Sequence, residues 1–324
     1  MSFTLEDALA SLRVVALPMK TKFRGIEVRE TALFEGPAGW AEFAPFIEYD
    51  ARESLAWLES AIEAATIHVP SGKKTSIPVN ATVPASDDEA EIEEILSWYP
   101  GVDTVKIKVG TGIQEDLARI ARVRKVLPTA KIRVDVNGSW SVDDAVFNIQ
   151  SIYGEVAGNF LEYVEQPVAS LNELRELKER LIVDVKIAGD EVLRKAEDPF
   201  AINLDGAIDV LMLKVSPLGG INRSKAIAAH HKLPVVVSSA LESAVGISHG
   251  IRLAASLPEL NFACGLATGK LLTHDVADLP VIDGRMKVTT VNPSGLSNYQ
   301  AAPERITWWQ NRIRDSFEVW QARN

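Results

Sequence analysis

The feature that most constrains the fold is a regular alternation of short apolar runs and amphipathic helical stretches, which begins near residue 76. Buried parallel strands are short, rich in Val and Ile, and joined by helical crossovers. The runs that fit this description are 77–83, 104–109, 131–136, 160–164, 183–188, 210–214, 234–238 and 262–266. Eight strands alternating with helices predict an α/β fold, a TIM-like (β/α) barrel. A doubly wound open sheet is the alternative, which the strand count and the lack of a GxGxxG turn disfavour.

The segments on either side of this alternation have a different character. Residues 12–17 and 26–33 look like strands on either side of a basic, Gly-containing stretch (20–25), and a helical pattern covers 50–65. Strands followed by a helix suggest a small α+β unit. Residues 303–323 form a candidate amphipathic helix that contains three tryptophans. We therefore expect an α+β domain over 1–75, the barrel over 76–290, and a carboxyl-terminal segment, 291–324, that packs on one of them.

Composition excludes several classes of function. The net charge of −10 argues against nucleic-acid binding, which needs clustered positive charge. A single cysteine, Cys264, excludes an internal disulfide and cysteine-based zinc sites, and the five histidines lack HExxH spacing. No run approaches the roughly 20 apolar residues of a membrane helix, and the amino terminus lacks an apolar signal core. We expect a cytoplasmic protein that acts on a small molecule; its oligomeric state stays open, and a monomer is compatible with the sequence.

Charged residues recur at the carboxyl ends of consecutive predicted strands, where barrels of this kind build their active sites. The second to sixth runs end in Lys106 and Lys108, in Arg133, Asp135 and Asn137, in Glu165, in Asp190 and Glu191, and in Lys214. A single charged residue at a strand end is usually a solvated rim residue. The repetition over five strands, at about one strand–helix unit each, predicts one mouth lined by carboxylates and lysines.

The three acids in this set predict a metal site. Carboxylates as close together as Asp135, Glu165 and Asp190 would repel one another, and a hard divalent cation removes that repulsion. Mg²⁺ suits a few carboxylate oxygens, and Mn²⁺ suits the same ligands. Such a cation would acidify the α-carbon of a bound substrate carboxylate. A lysine beside it can act as a base, while a second lysine on the opposite wall can stabilise charge or deliver a proton.

These motifs resemble those of the enolase superfamily, in the branch that includes the muconate-lactonising enzymes. That branch has KxK, DxN, a Glu in an EQP-type motif, a DE pair and a Lys on the second to sixth barrel strands, as found here. The mandelate-racemase branch uses a His–Asp dyad instead, and no histidine ends the sixth or seventh predicted strand. The resemblance spans nearly the whole chain, and it implies that the 1–75 domain caps the barrel.

Within that branch the chain is most similar to the o-succinylbenzoate synthase family, in its short actinobacterial form. Residues 238–246 read SSALESAVG, close to the SSxxESxxG pattern of that family, and Arg133 precedes Asp135 by two residues. Phe23 and Arg24 would belong to a mobile cap loop over the mouth. The resemblance implies a hydro-lyase: a Mg²⁺-dependent syn dehydration of 2-succinyl-6-hydroxy-2,4-cyclohexadiene-1-carboxylate to o-succinylbenzoate, in menaquinone biosynthesis.

The resemblance also implies a role for each site residue. Lys108 would remove the proton α to the ring carboxylate and then assist loss of hydroxide, while Lys214 would stabilise the anion. The remaining residues would hold the metal (Asp135, Glu165, Asp190), tune the charges of the lysines (Lys106, Glu191), or contact substrate (Arg133, Asn137, Ser238, Ser239, Gly265). Arg133 has an alternative role as a structural ion pair in the barrel wall.

Rival functions stay open on the same scaffold. An N-acylamino-acid racemase, a dipeptide epimerase or a muconate cycloisomerase would use both lysines on one carbon. Residues 264–270 read CGLATGK, without the DxD that dipeptide epimerases usually carry after the eighth strand, which disfavours that rival. A non-catalytic, metal-binding barrel is the second alternative.

Overall fold

The computed structural model describes residues 3–70 and 72–323. Its amino-terminal part is an antiparallel sheet of β1 (Arg13–Phe23), β2 (Ile26–Gly36) and β3 (Gly39–Phe43), flanked by helices α1 (Leu5–Ser11) and α2 (Leu55–Thr66). The hairpin between β1 and β2 turns at Arg24 and Gly25, both at positive φ. The stretch 20–25 is therefore mostly strand rather than a connection, and β3 is an element that the sequence pattern did not indicate.

The central part is a curled parallel sheet covered by helices. Within the described residues, the parallel strands are β5 (Ala81–Val83), β6 (Thr104–Lys108), β7 (Lys131–Asp135), β8 (Leu161–Glu165), β9 (Ile187–Gly189), β10 (Val210–Lys214) and β11 (Val235–Ser238), each paired with the next along the chain. The helices between and after them are α3 (Glu89–Ser97), α4 (Ile113–Val126), α5 (Val142–Glu155), α6 (Leu171–Arg180), α7 (Glu191–Arg194), α8 (Ile221–His231) and α9 (Ala244–Ser256). The predicted (β/α) barrel with an α+β domain is confirmed.

The first and eighth strands, where the barrel closes, differ from those that the sequence pattern predicts. The predicted eighth strand, 262–266, is reduced to parallel bridges that join Cys264 to Val79 and Gly265 to Ser238. The predicted first run splits in two, because Ser76–Pro78 (β4) pairs antiparallel with Arg285–Lys287 (β12) while Ala81–Val83 enters the barrel. The switch occurs where the backbone N–H of Val79 bonds to Gly284 and that of Asn80 bonds to Cys264.

The alternation of side chains along each strand places apolar residues on the outer face of the barrel wall and charged residues on its inner face. Ile107, Val134 and Leu213 are fully buried in the main hydrophobic core cluster, with residues of the surrounding helices. Burial of each such side chain contributes roughly 1.5–3 kcal/mol. The residues between them, such as Lys106 and Arg133, have the opposite orientation and point into the barrel. The apolar layer therefore holds strands whose inward faces carry charge.

The carboxyl-terminal helix α10 (Pro303–Arg323) packs on the amino-terminal domain, where it contacts α1, α2 and β1. Trp309 is fully buried and donates its indole N–H to Glu30 at 2.9 Å. Arg305 pairs with the same carboxylate at 2.7 Å. Short 3₁₀ helices lie at Thr268–Leu271 and Leu296–Tyr299. Over residues 3–70 and 72–323, none of the helices has the length and apolar character needed to cross a membrane.

Candidate active site

A cavity of about 390 Å³ lies at the carboxyl ends of the barrel strands, beneath the β1–β2 hairpin. Most of the predicted site residues line it: Lys106, Lys108, Asp135, Asn137, Lys214, Ser238, Ser239 and Gly265. The amino-terminal domain contributes Phe23, Arg24 and Trp57 to the same cavity. Arg24 lies over the ring of Phe46, with its guanidinium carbon 4.0 Å from the ring centroid. The cavity therefore joins residues from both domains, as a capped barrel requires.

Lys108 and Lys214 face the cavity from opposite walls, because β6 and β10 lie four strands apart in the curled sheet. The Lys108 ammonium donates to the amide oxygen of Asn137 and lies 3.8 Å from an Asp135 oxygen. Burial lowers the pKa of Lys108, against the opposing effect of the Asp135 carboxylate. The Lys214 ammonium donates to Asp190 at 2.6 Å. One lysine thus has a pKa shifted toward the range of a base, and the other is anchored as an ion pair.

Lys106 bridges two of the predicted metal ligands. Its ammonium lies 3.2 Å from Asp135 and 3.1 Å from Glu165, and all three residues are buried. Although burial alone would lower it, the pKa of Lys106 is raised well above its ordinary value by the two carboxylates. Burial and the neighbouring Asp135 raise the pKa of Glu165 to about 7. The buried carboxylates of Asp135 and Glu165 thus share the Lys106 ammonium, and Asp135 also lies near the ammonium of Lys108.

The three acids lie at the carboxyl ends of neighbouring strands. Asp135 pairs in register with Glu165, and Glu165 with Ala188, two residues before Asp190. One oxygen of Glu165 and one of Asp190 are buried without a hydrogen-bond partner in the described chain. As placed, no three His, Cys, Asp or Glu side chains of the described residues converge to hold a metal ion. Lysine ammonium groups pair with these carboxylates instead, and the orphaned oxygens are the kind of ligand that a hard divalent cation takes.

Arg194 also belongs to this group of charged residues, although the pattern of strand ends did not indicate it. Arg194 on the short helix α7 lies 3.3 Å from Asp190 and 2.6 Å from Glu191, and it donates to the Tyr49 hydroxyl of the amino-terminal domain at 3.0 Å. Glu191 also accepts from the amide of Asn137 at 3.2 Å. The i+3 and i+4 spacing from Glu191 and Asp190 was the available signal, but it indicates contact only if a helix is already known.

Another part of the cavity wall is built by a close approach of the end of β11 to Gly265. A Cβ added at Gly265 would lie 2.6 Å from the Ser238 hydroxyl, so only glycine fits there without displacing the serine. Ser239 shares a hydrogen bond of 2.7 Å with Thr268. Ser238 and Ser239 thereby place hydroxyls on the cavity wall.

Arg133 has a different place from the substrate contact expected for it. It is fully buried and does not line the cavity; it pairs with Glu162 at 2.6 Å and donates to Asn80 at 2.9 Å and to the Ala263 carbonyl at 2.7 Å. Burial opposes but does not prevent a raised pKa, because Tyr163 and Glu162 favour the cation. These contacts form an ion pair within the barrel wall, which is the arrangement that the alternative role of Arg133 predicts.

Comparisons with known proteins agree on one family. Residues 90–298 match the model of the enolase C-terminal domain-like family, and residues 14–65 match that of the enolase N-terminal domain-like family. The chain is 47% identical to an o-succinylbenzoate synthase of Mycobacterium ulcerans, over 99% of this chain and 98% of the relative. It is 48% identical to the o-succinylbenzoate synthase of Mycolicibacterium smegmatis, over 95% and 96%.

Solved structures support the fold. The muconate lactonizing enzyme from Pseudomonas putida superposes with a TM-score of 0.72 at 18% identity, covering 90% of this chain and 98% of that one. A dipeptide epimerase from Enterococcus faecalis superposes with a TM-score of 0.69 at 21% identity, covering 88% and 97%. At these identities the likeness concerns the fold alone.

Proposed function

Since the chain belongs to the o-succinylbenzoate synthase family of the enolase superfamily, we propose that it catalyses the dehydration of 2-succinyl-6-hydroxy-2,4-cyclohexadiene-1-carboxylate to o-succinylbenzoate. The protein is then a hydro-lyase acting on a small carboxylate, in menaquinone biosynthesis. The observation that supports this best is the pair of lysines, Lys108 and Lys214, that face one cavity from opposite walls beside buried carboxylates.

Lys108 is the proposed base. Its lowered pKa makes the neutral amine accessible nearer to neutral pH, and its hydrogen bond to Asn137 fixes the direction of the amine. In the first step the amine of Lys108 takes the proton from the carbon that bears the ring carboxylate, and the electron pair of that C–H bond moves into the carboxylate group. Lys108 is then an ammonium on the face from which the proton left.

The second step uses the proton that Lys108 has just acquired. The electron pair held by the carboxylate group returns to form the new C=C bond of the ring as the C–O bond to the ring hydroxyl breaks. The Lys108 ammonium delivers its proton to the departing oxygen, so that water leaves. Both events occur on one face, which makes the elimination syn. The ring becomes aromatic, and this drives the step forward.

Lys214 stabilises the anion formed between the two steps. Its ammonium is anchored by Asp190 at 2.6 Å and lines the cavity on the wall opposite Lys108. A fixed positive charge in a buried site stabilises developing negative charge without reorganisation, which is the most effective form of electrostatic catalysis. Glu191 and Lys106 adjust this field, since each lies against a charged member of the site.

Members of the superfamily generally use a divalent metal ion. We propose that Asp135, Glu165 and Asp190 hold Mg²⁺ or Mn²⁺, which when bound polarises the substrate carboxylate as a Lewis acid. The buried oxygens of Glu165 and Asp190 that have no partner in the described chain support this assignment. Asn137, Ser238, Ser239 and Gly265 line the cavity, and we propose that they contact the rest of the substrate.

A racemase of N-acylamino acids is the second candidate, because lysines on opposite walls are also suited to removing and returning a proton on two faces of one carbon. The two functions differ in the number of lysines that exchange protons with carbon. Dehydration needs proton transfer only at Lys108, whereas racemisation needs it at both lysines.

The test is incubation of the purified protein with Mg²⁺ and the cyclohexadiene substrate, with the aromatic product followed by ultraviolet absorbance. We expect turnover that EDTA abolishes and excess Mg²⁺ restores. The same preparation is given N-acylamino acids in D₂O, with deuterium incorporation followed by NMR. Racemisation in the absence of any dehydration would replace the synthase proposal with the racemase, and absence of both activities would favour a non-catalytic barrel.

A further inference from the structure

The loop between β11 and α9, residues 239–243, contributes Ser239, Ala240 and Leu241 to the cavity. Leu241 has a φ of +63°, in the left-handed region that a leucine rarely adopts. Such a conformation persists only where the surrounding structure holds it. The question is therefore what holds the β11–α9 loop in the shape that lines the cavity.

Arg29 of β2, in the amino-terminal domain, holds the strained residue itself. It is 2% exposed, and its Nε donates to the Leu241 carbonyl at 3.0 Å. A second nitrogen of the same guanidinium donates to the Ala44 carbonyl, just after β3. The carbonyl of Leu241 is thus tied to a rigid sheet of the other domain.

Glu42 of β3 holds the other end of the loop. Its carboxylate accepts from the Ser243 backbone at 3.1 Å, from the Ser243 hydroxyl at 2.5 Å and from the Gly246 backbone at 2.9 Å. These N–H groups open helix α9, where the helix dipole favours a negative charge. A Cβ at Gly246 would lie 3.0 Å from a Glu42 oxygen and 2.6 Å from the Cβ of Glu242, so a glycine at this position leaves room for the Glu42 carboxylate and for the stem of Glu242.

Glu242 completes the arrangement from inside the loop. Its carboxylate accepts from the Ala240 backbone at 2.6 Å and from the hydroxyl of Ser216, two residues after Lys214. Burial raises the pKa of Glu42 to about 7, and it also raises that of Glu242. Burying two acids around one arginine is costly, whereas an apolar cluster of the same size would pack at no such cost. The hydrogen bonds of the cluster fix the shape of the loop in spite of that cost.

We propose that Glu42 and Arg29 are positioning residues: from the amino-terminal domain they hold the β11–α9 loop in its cavity-lining shape, so that docking of this domain builds part of the substrate wall. This gives a role to the Glu–Ser–x–x–Gly part of the 238–246 motif, in which Ser243 and Gly246 donate hydrogen bonds to the Glu42 carboxylate. The inference concerns the site of the proposed dehydration and rests on that function for its kinetic readout.

The chain supplies a matched control. Glu63 of α2, in the amino-terminal domain, also contacts a barrel helix, because its carboxylate accepts from the backbone of Ile221 and of Asn222 at the start of α8. It makes the same kind of contact between the domains as Glu42. Its hydrogen bonds reach α8 and not the β11–α9 loop, so it separates docking of the domain from positioning of the loop.

The experiment compares Glu42→Ala, Glu42→Gln and Glu63→Ala by steady-state kinetics, thermal melting and amide hydrogen exchange at Ser243 and Gly246. We expect Glu42→Ala to raise KM about tenfold with a smaller change in kcat, because the loop contacts substrate and not the reacting carbon. Glu42→Gln, whose amide oxygen still accepts one N–H, should recover part of that loss. Glu63→Ala should lower Tm about as much as Glu42→Ala does, but it should leave KM unchanged.

An equal rise in KM in Glu63→Ala, or an unchanged KM in a Glu42→Ala variant whose Tm has fallen, would overturn the proposal. Hydrogen exchange keeps the test independent of the reaction. Faster exchange at Ser243 and Gly246 in the Glu42 variants, but not in Glu63→Ala, is expected even if the wild type fails to dehydrate the substrate. Unchanged exchange overturns the positioning role, whereas a wild type without turnover overturns only the proposed function. Should Glu42→Ala not fold, Glu42→Gln carries both readouts.

Discussion

Replacing Lys106 with methionine tests the electrostatic balance of the site. Methionine keeps most of the volume of the lysine stem but removes the ammonium that lies 3.2 Å from Asp135 and 3.1 Å from Glu165. Breaking a buried ion pair by removing one partner costs about 3–5 kcal/mol. For 324 residues the entropy of unfolding is about 0.7 kcal/mol/K, so we expect Tm to fall by about 4–7 °C.

The assay is thermal melting in EDTA and again in excess Mg²⁺. A bound cation at 100 times its Kd stabilises the folded state by about 2.7 kcal/mol. Mg²⁺ should therefore restore much of the stability that Lys106→Met loses. Lys131→Met is the matched control, because Lys131 pairs with Glu162 at 3.0 Å with more than half of its side chain exposed. That variant should change stability by less than about 1 kcal/mol. If Lys106→Met and the wild type have the same Tm in EDTA, the idea that Lys106 neutralises the buried acids is refuted.

Three other predictions follow from single contacts. Burial raises the pKa of Glu42 from 4.5 to about 7. Its stabilising contribution is therefore complete below pH 4.5 and is lost as the pH rises through 7. In Glu42→Gln the unfolding free energy should vary less with pH over this range, by up to about 3 kcal/mol. Gly265→Ala, whose Cβ would lie 2.6 Å from the Ser238 hydroxyl, should raise KM about tenfold in steady-state assays with little change in Tm; an unchanged KM would argue against a substrate wall there. Arg133→Met should lower the unfolding free energy in denaturant by about 3–5 kcal/mol, because it removes the buried partner of Glu162 and leaves that carboxylate only the half-exposed Lys131. A loss of kcat without loss of stability would contradict a structural role for Arg133.

The barrel was predictable because its signal is repeated. Alternating runs of Val and Ile with intervening helices indicate strand number and order even when single boundaries are imprecise. The eighth run, 262–266, shows the limit of that signal. Its apolar pattern is typical of a strand, but whether it forms a full ladder or only the bridges at Cys264 and Gly265 depends on where its neighbours end.

The strand-end residues were predictable for the same reason, and most of them line one cavity. What the pattern did not indicate is which inward residue reaches that cavity. Arg133 and Asp135 point to the same side of β7, yet Arg133 sits one pleat deeper and finds Glu162. Depth along a strand is set by the closed barrel, so the sequence left both of its roles open.

The residues that act between domains were missed. Glu42 lies in a five-residue strand that was not predicted, and an acid in such a position is usually solvated. Arg194 lies on a four-residue helix, too short for its periodicity to be read. Both depend on contacts distant in sequence, with α9 and Tyr49 respectively, and local patterns carry no information about such partners.

The most direct test of the central claim is the rate of aromatic product formation by Lys108→Ala, measured in excess Mg²⁺ beside Lys186→Ala. Lys186 immediately precedes β9 and is exposed, so its variant controls for the loss of a lysine near a barrel strand. We predict that Lys108→Ala loses kcat by a factor of about 10²–10⁴, the usual contribution of a positioned base, while Lys186→Ala keeps wild-type turnover. A Lys108→Ala enzyme with full activity would contradict the assignment of Lys108 as the base.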